Sequence, residues 1–265
     1  MTDRFRLTGD IDSLTLRRDT ANDLRAVTQA EVSYTANRLD DSETFQVTAY
    51  AGYDFARTEN RQFIPFVGFE REQTRQSGPD DDGTSRVSAG FVYGAEFESY
   101  DSLFVTPLYV VDRIHDSRIA SLRASWTPGF LYRIDALPMG NARPMGPLVA
   151  RMDLQLRAQA GRVIDAGDST ELADTDDYFR IGPAFALELW PTSGNAFLSR
   201  LSADAAYRRF FRVSGPADVE WWGAGINYSV QSNDHVTIRY SYEHGEDEET
   251  LEKSKQWKLV LGVRF

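Results

Sequence analysis

Long runs of alternating apolar and polar residues constrain this chain more than any other feature, because a period of two gives a strand one apolar and one polar face. Between Glu43 and Phe55, one parity reads Phe45, Val47, Ala49, Ala51, Tyr53 and Phe55, and the other reads Gln46, Thr48, Tyr50, Gly52 and Asp54. Val87 to Phe97, Val236 to Tyr242 and Trp257 to Phe265 repeat the pattern. Leu148 to Gly161 is rich in helix formers. Yet Leu148, Ala150, Met152, Leu154, Leu156, Ala158 and Ala160 share one parity, which a helix would scatter around its circumference. The pattern predicts twelve strands, at 24–37, 43–56, 62–71, 85–98, 102–112, 118–133, 147–162, 177–190, 196–213, 218–230, 235–245 and 255–265. Most are well beyond the about 5 to 6 residues of an ordinary soluble strand.

Two features decide what the apolar faces meet. Aromatics stand near the ends of those faces and smaller aliphatics near the middle, as in Phe45, Tyr53 and Phe55, or Trp257 and Phe265. That is the distribution of an apolar band between two aromatic girdles. The connections also alternate, mostly longer and acidic (37–44, 70–86, 112–118, 162–177, 212–218, 244–255) against short (57–61, 99–102, 191–195, 231–234), so the strands run up and down between two unlike sides. The longest nearly unbroken apolar run, Phe104 to Val111, is far too short for a membrane helix. Without cysteine there is no disulfide, thiolate metal site or cysteine nucleophile, and a net charge of −11 argues against a nucleic-acid partner. The expected fold is therefore all-β, a transmembrane antiparallel up-and-down β-barrel of about twelve strands.

The ending Trp257, Leu259, Leu261, Val263, Phe265 resembles the C-terminal assembly signal of Gram-negative outer-membrane β-barrels. The resemblance covers the last strand only. It implies a bacterial outer-membrane location, insertion by the barrel-assembly machinery and both termini in the periplasm. Met1 precedes the polar Thr2, Asp3 and Arg4, so the chain is expected to be a mature form with an added initiator Met. Residues 1–23 are read as a periplasmic tail or, more sharply, as a lumen plug or an additional strand pair, and 24–265 as the barrel. The connection Asp135 to Pro147 belongs to the short-turn side but is long, with Pro138, Pro144, Pro147, Gly140 and Gly146, which makes it or the N-terminal tail a candidate periplasmic docking segment.

Phosphate-loop, zinc-helix and nucleophile-elbow signatures are missing. His115 beside Asp116, with Asp80, Asp81 and Asp82 in the preceding outer loop, is a weak hint of a surface hydrolase, and Asp80 to Gly83 of calcium; a solvated loop explains both, and no cofactor or metal is expected. The inward parity is more telling. If the apolar face meets lipid, Arg25, Arg86, Arg123, Arg151, Arg157, Arg180, Arg208, Arg239, Lys258 and Arg264 line the lumen, with Glu31, Glu96, Asp153, Glu188, Asp204 and Glu243 among them. An excess of Arg there favours small anions, so a narrow channel is the first functional expectation. An anchor or export component of a larger envelope assembly is the second, and a surface hydrolase the third. At the outer ends of two strands, Tyr207 to Arg212 and Trp221 with Trp222 form an aromatic and basic cluster, from which Arg209, Arg212 and Trp222 are expected to contact lipopolysaccharide and outer-membrane lipid.

Overall fold

The computed structural model describes residues 4–8, 11, 30–37, 42–58, 60–75, 82–97, 101–134, 137–140, 142–169, 172–173, 175–192, 194–215, 218–230, 236–246, 248 and 253–263. Its strands are β1 (Phe5–Thr8), β2 (Ala30–Asn37), β3 (Ser42–Tyr53), β4 (Ala56–Arg57), β5 (Arg61–Arg75), β6 (Asp82–Glu96), β7 (Ser102–Asp112) and β8 (Ser117–Thr127). They continue with β9 (Arg143–Met145), β10 (Leu148–Asp165), β11 (Asp177–Pro191), β12 (Leu201–Ser214), β13 (Val219–Ser229), β14 (Val236–Glu246) and β15 (Lys253–Val263). β1, β4 and β9 are short additions; the other twelve form one antiparallel ring.

The pairings close that ring. β15 pairs with β2 from Leu259↔Tyr34 to Val263↔Ala30, β2 pairs with β3, and β3 pairs with β5. From β5 onward each long strand pairs with the next, β8 with β10 across the short β9. A closed sheet leaves no long edge to recruit another chain. β1 completes the wall: Phe5–Thr8 pairs with Tyr50–Tyr53 of β3, next to the part of β3 that β2 occupies, so two pieces of chain serve one edge. Arg6 and Asp54, both buried, fix that junction with an ion pair at 3.3 Å. Phe5 and Val263 lie at the end of the barrel that carries the short turns.

All twelve expected strands are present, with local differences at their ends. The strand expected at 118–133 stops at Thr127, because Pro128 has no N–H to continue the ladder and a 3₁₀ turn, Gly129–Arg133, follows. The strand expected from 196 begins at Leu201, because Asn195 Oδ1 accepts the N–H groups of Phe197 and Leu198 and winds the chain into a turn first.

Parity sets what each face presents. Outward stand Val67, Ile226 and Leu259, each 57–59% exposed, with Phe69, Phe91, Tyr109, Leu122, Leu156, Phe179, Ile238 and Leu261 around the ring. Trp222, Tyr242, Trp257 and Tyr240 form a contiguous outward aromatic run on β13 to β15, with ring centroids 4.8–5.2 Å apart. Inward stand Thr48, Ser88, Thr106, Ser121, Gln159, Ser241 and Lys258, all buried. On β3, β5, β6 and β7, however, the interior is apolar as well: Tyr50, Ile64, Phe66, Val92, Leu108 and Val110 make one cluster, and Ile11 packs into it. Gly68, Gly94 and Gly161 stand directly opposite Tyr50, Phe104 and Tyr178. A Cβ at any of the three would lie within 2.6 Å of the facing aromatic ring, so these glycines make the room that the rings fill.

The connection between β8 and β10 hugs the wall. β10 extends eight residues beyond the last residue paired with β8 and would leave its edge groups unsatisfied. Pro138 accepts from the Met152 N–H, Gly140 donates to Met152, and Arg143–Met145 pairs with Leu148–Ala150, which fills that edge.

Candidate functional site

Charged side chains gather on the interior of β8 and β10 to β15, across the lumen from the apolar cluster. Arg123 on β8, Arg157 on β10, Arg180 on β11 and Arg208 on β12 come from four strands adjacent in the ring. All four meet Glu248, whose side chain is 4% exposed and which follows β14 in the chain. Arg208 Nη1 lies 2.8 Å from Glu248 Oε1, Arg157 Nη1 4.0 Å from the same oxygen, and Arg123 Nη2 3.9 Å from Oε2. Arg180 Nη2 donates to the Glu248 backbone carbonyl.

Aromatic rings hold two of these guanidiniums. Arg180 lies 4.6 Å from the centroid of Tyr178 and 6.0 Å from that of Phe210, and Arg208 lies 4.3 Å from Trp221. A planar, weakly hydrated guanidinium is suited to such stacking. The cluster Tyr207 to Arg212 with Trp221 and Trp222 is thus split by parity. Arg208, Phe210 and Trp221 face inward, while Tyr207, Arg209, Phe211 and Trp222 face out. Trp221 stands at the same end of the barrel as Trp222 but faces the lumen.

The other inward cations also have partners. Arg239 meets Asp204 at 2.7 Å, and Asn227 donates to the same carboxylate at 2.6 Å. Lys258 meets Glu243 at 2.9 Å. Arg86 lies between Glu70 (3.6 Å) and Asp112 (3.8 Å), and Tyr50 donates to Glu70. Arg151 stands opposite Glu188 in the β10–β11 register. The inward Arg excess inferred from parity is thus offset: Glu70, Asp112 and Glu248 face the lumen charges and were not counted there. Arg25 and Arg264 lie outside the described residues, as does Phe265 of the terminal signal; Trp257, Leu259 and Leu261 face out.

Of the outer-rim candidates, Arg209 stacks on Phe211 at 5.0 Å and lies 3.9 Å from Asp218, which also accepts the Arg212 N–H. Trp222 packs against Tyr242 and His244. The partner of His115 is Asp112, with Nδ1 3.2 Å from Oδ2, and not Asp116 as the sequence suggested. Asp112 Oδ1 also accepts the N–H groups of Ser85, Ile114 and His115. That carboxylate orders the β7–β8 turn, and Asp80 and Asp81 lie outside the described residues. Among the described residues no group of three acidic or His side chains is placed to hold a metal ion.

At the short-turn end, burial pushes the Tyr132 hydroxyl up to about 12, with the negative charges of Asp153 and Glu96 adding to the effect. Gly140, with φ of +64°, admits the Tyr132 ring alongside the connection.

No protein-family model matches the chain, and no curated protein does. Among solved structures, it is similar to the bacterial polysaccharide outer membrane secretin, with 10% identity, a TM-score of 0.46, and coverage of 89% of this chain and 96% of that one. It is also similar to the beta domain of the Bordetella autotransporter Brka, with 10% identity, a TM-score of 0.43, and coverage of 89% and 95%. For the transport unit of the autotransporter AIDA-I from Escherichia coli the values are 12%, 0.41, 89% and 87%. The barrel assignment rests on the closed pairings and not on these likenesses.

Proposed function

We propose that the chain is a β-barrel of the bacterial outer membrane, with both termini in the periplasm, and that its lumen is a narrow path for small anionic solutes. The outward apolar belt with its aromatic run supports the membrane placement, since so much contiguous apolar surface is not tolerated in water. The observation that carries the anion path is the row of guanidiniums from Arg123, Arg157, Arg180 and Arg208 on one side of the interior. Arginine rings in pores favour anions by the same electrostatics. Reconstitution in planar bilayers tests this reading: small, anion-preferring conductance is the expected result.

A second reading, an anchor or export component of an envelope assembly, is favoured by the apolar filling of the other half, including Ile11. In that reading the stretch of residues 1–23 that follows the wall strand β1 acts as a plug, with Ile11 in the lumen, and the 135–147 connection as a docking segment. Absence of conductance in any lipid would transfer the assignment to it. Arg209, Arg212 and Trp222 are proposed to meet lipopolysaccharide at the outer rim, and the barrel-assembly machinery to read Trp257, Leu259, Leu261, Val263 and Phe265.

A further inference from the structure

We infer that Arg123, Arg157, Arg180 and Arg208 form a binding site for a phosphate-sized oxyanion, and that the Glu248 carboxylate holds the place of that ligand. The inference deepens the anion-path reading and rests on it for the ligand's access to the lumen.

The first support is the convergence of cations from four adjacent strands on one place. Three guanidiniums lie in ion-pair range of the Glu248 carboxylate, Arg208 at 2.8 Å, Arg123 at 3.9 Å and Arg157 at 4.0 Å. Arg180 reaches only the backbone carbonyl of Glu248. A tetrahedral phosphate presents oxygens in more directions than a planar carboxylate does, and bidentate guanidinium bonds suit it.

The second support is unused hydrogen-bonding capacity. Arg180 is 2% exposed, and its Nε and Nη1 have no acceptor among the described residues; the buried Nε of Arg208 has none either. Buried donors of this kind are normally satisfied. Stacking on Tyr178, Phe210 and Trp221 fixes both planes in advance, so a ligand would meet oriented donors.

The test uses the full chain in detergent, where conductance plays no part. Binding of inorganic phosphate to wild type, Glu248→Ala and Glu248→Gln is measured by calorimetry, and thermal unfolding is followed in phosphate and in chloride of equal ionic strength. Both variants should bind phosphate at least about tenfold more tightly than wild type and be stabilised by it selectively, as linkage requires of a ligand of the folded state. Adding Arg180→Gln and Arg208→Gln to Glu248→Ala should abolish the gain. n-Octyl phosphate distinguishes the source of the ligand: among phosphate-binding variants, equal affinity for both probes marks a free anion, and tighter binding of the octyl ester marks a lipid headgroup. Equal phosphate affinity in wild type and variants, or no binding in any, overturns the inference. If Glu248→Ala does not fold, Glu248→Gln carries the comparison. If neither folds, refolding that succeeds in phosphate and not in chloride supports the site, and failure in both overturns it. Loss of conductance with retained phosphate binding would refute the path and leave the site standing.

Discussion

Replacing Leu259 with Arg separates a lipid-facing belt from a water-facing one. Leu259 is 57% exposed between the outward Trp257 and Leu261, and pairs with Tyr240 and Tyr34 near the middle of the wall. On a water-facing sheet such a substitution falls within about 0.5 kcal/mol. At the midplane of a bilayer it should cost about 2 to 4 kcal/mol, which is about 30- to 700-fold in the folding equilibrium at about 1.4 kcal/mol per decade. Val236, at the short-turn end of β14 opposite Val263, provides a depth control, because Arg there should cost only about 0 to 1 kcal/mol. Leu259→Ala controls for the lost side chain. Reversible urea unfolding from lipid vesicles, followed by tryptophan fluorescence, gives the three values. If Leu259→Arg matches Leu259→Ala to within about 0.5 kcal/mol, or if Arg costs as much at Val236 as at Leu259, the outward belt does not face lipid.

Three further outcomes are expected. Replacing buried Lys258 with Met removes the 2.9 Å partner of half-buried Glu243 and should cost about 1 to 3 kcal/mol, whereas Lys258→Met with Glu243→Leu should recover much of that; additive losses in the same unfolding assay would refute the pairing energetics. Deleting Phe265 should reduce outer-membrane insertion in cells far more than refolding in detergent, and normal surface levels without it would count against the assembly signal. Arg209→Gln with Arg212→Gln should weaken lipopolysaccharide co-purification, and unchanged lipid content would leave the outward aromatics as an unselective girdle.

The period of two made the wall legible. Twelve strands and the outward parity of residues such as Phe91 and Leu259 follow from that period, because a barrel enforces it around its whole circumference, and the strand directions follow from the unlike lengths of the connections. The interior was only half legible. Arg123, Arg157 and Arg208 could be placed inward by parity, but Glu248 sits in a connection, where no period exists to say which way a side chain turns. Ile64, Phe66, Leu108 and Val110 carried a signal that alternation hides: β5 and β7 are apolar on both parities, which marks strands buried on both faces. Proximity in sequence also misled, since His115 lies beside Asp116 but meets Asp112, one turn of loop earlier.

The reversal potential of the reconstituted barrel across a KCl gradient of about tenfold tests the anion path most directly. Wild type should reverse on the chloride side of zero, and Arg157→Glu with Arg208→Glu should move the reversal towards the potassium side while the barrel stays folded. A wild-type reversal on the potassium side, or a folded protein that conducts no ion in any lipid, would contradict it.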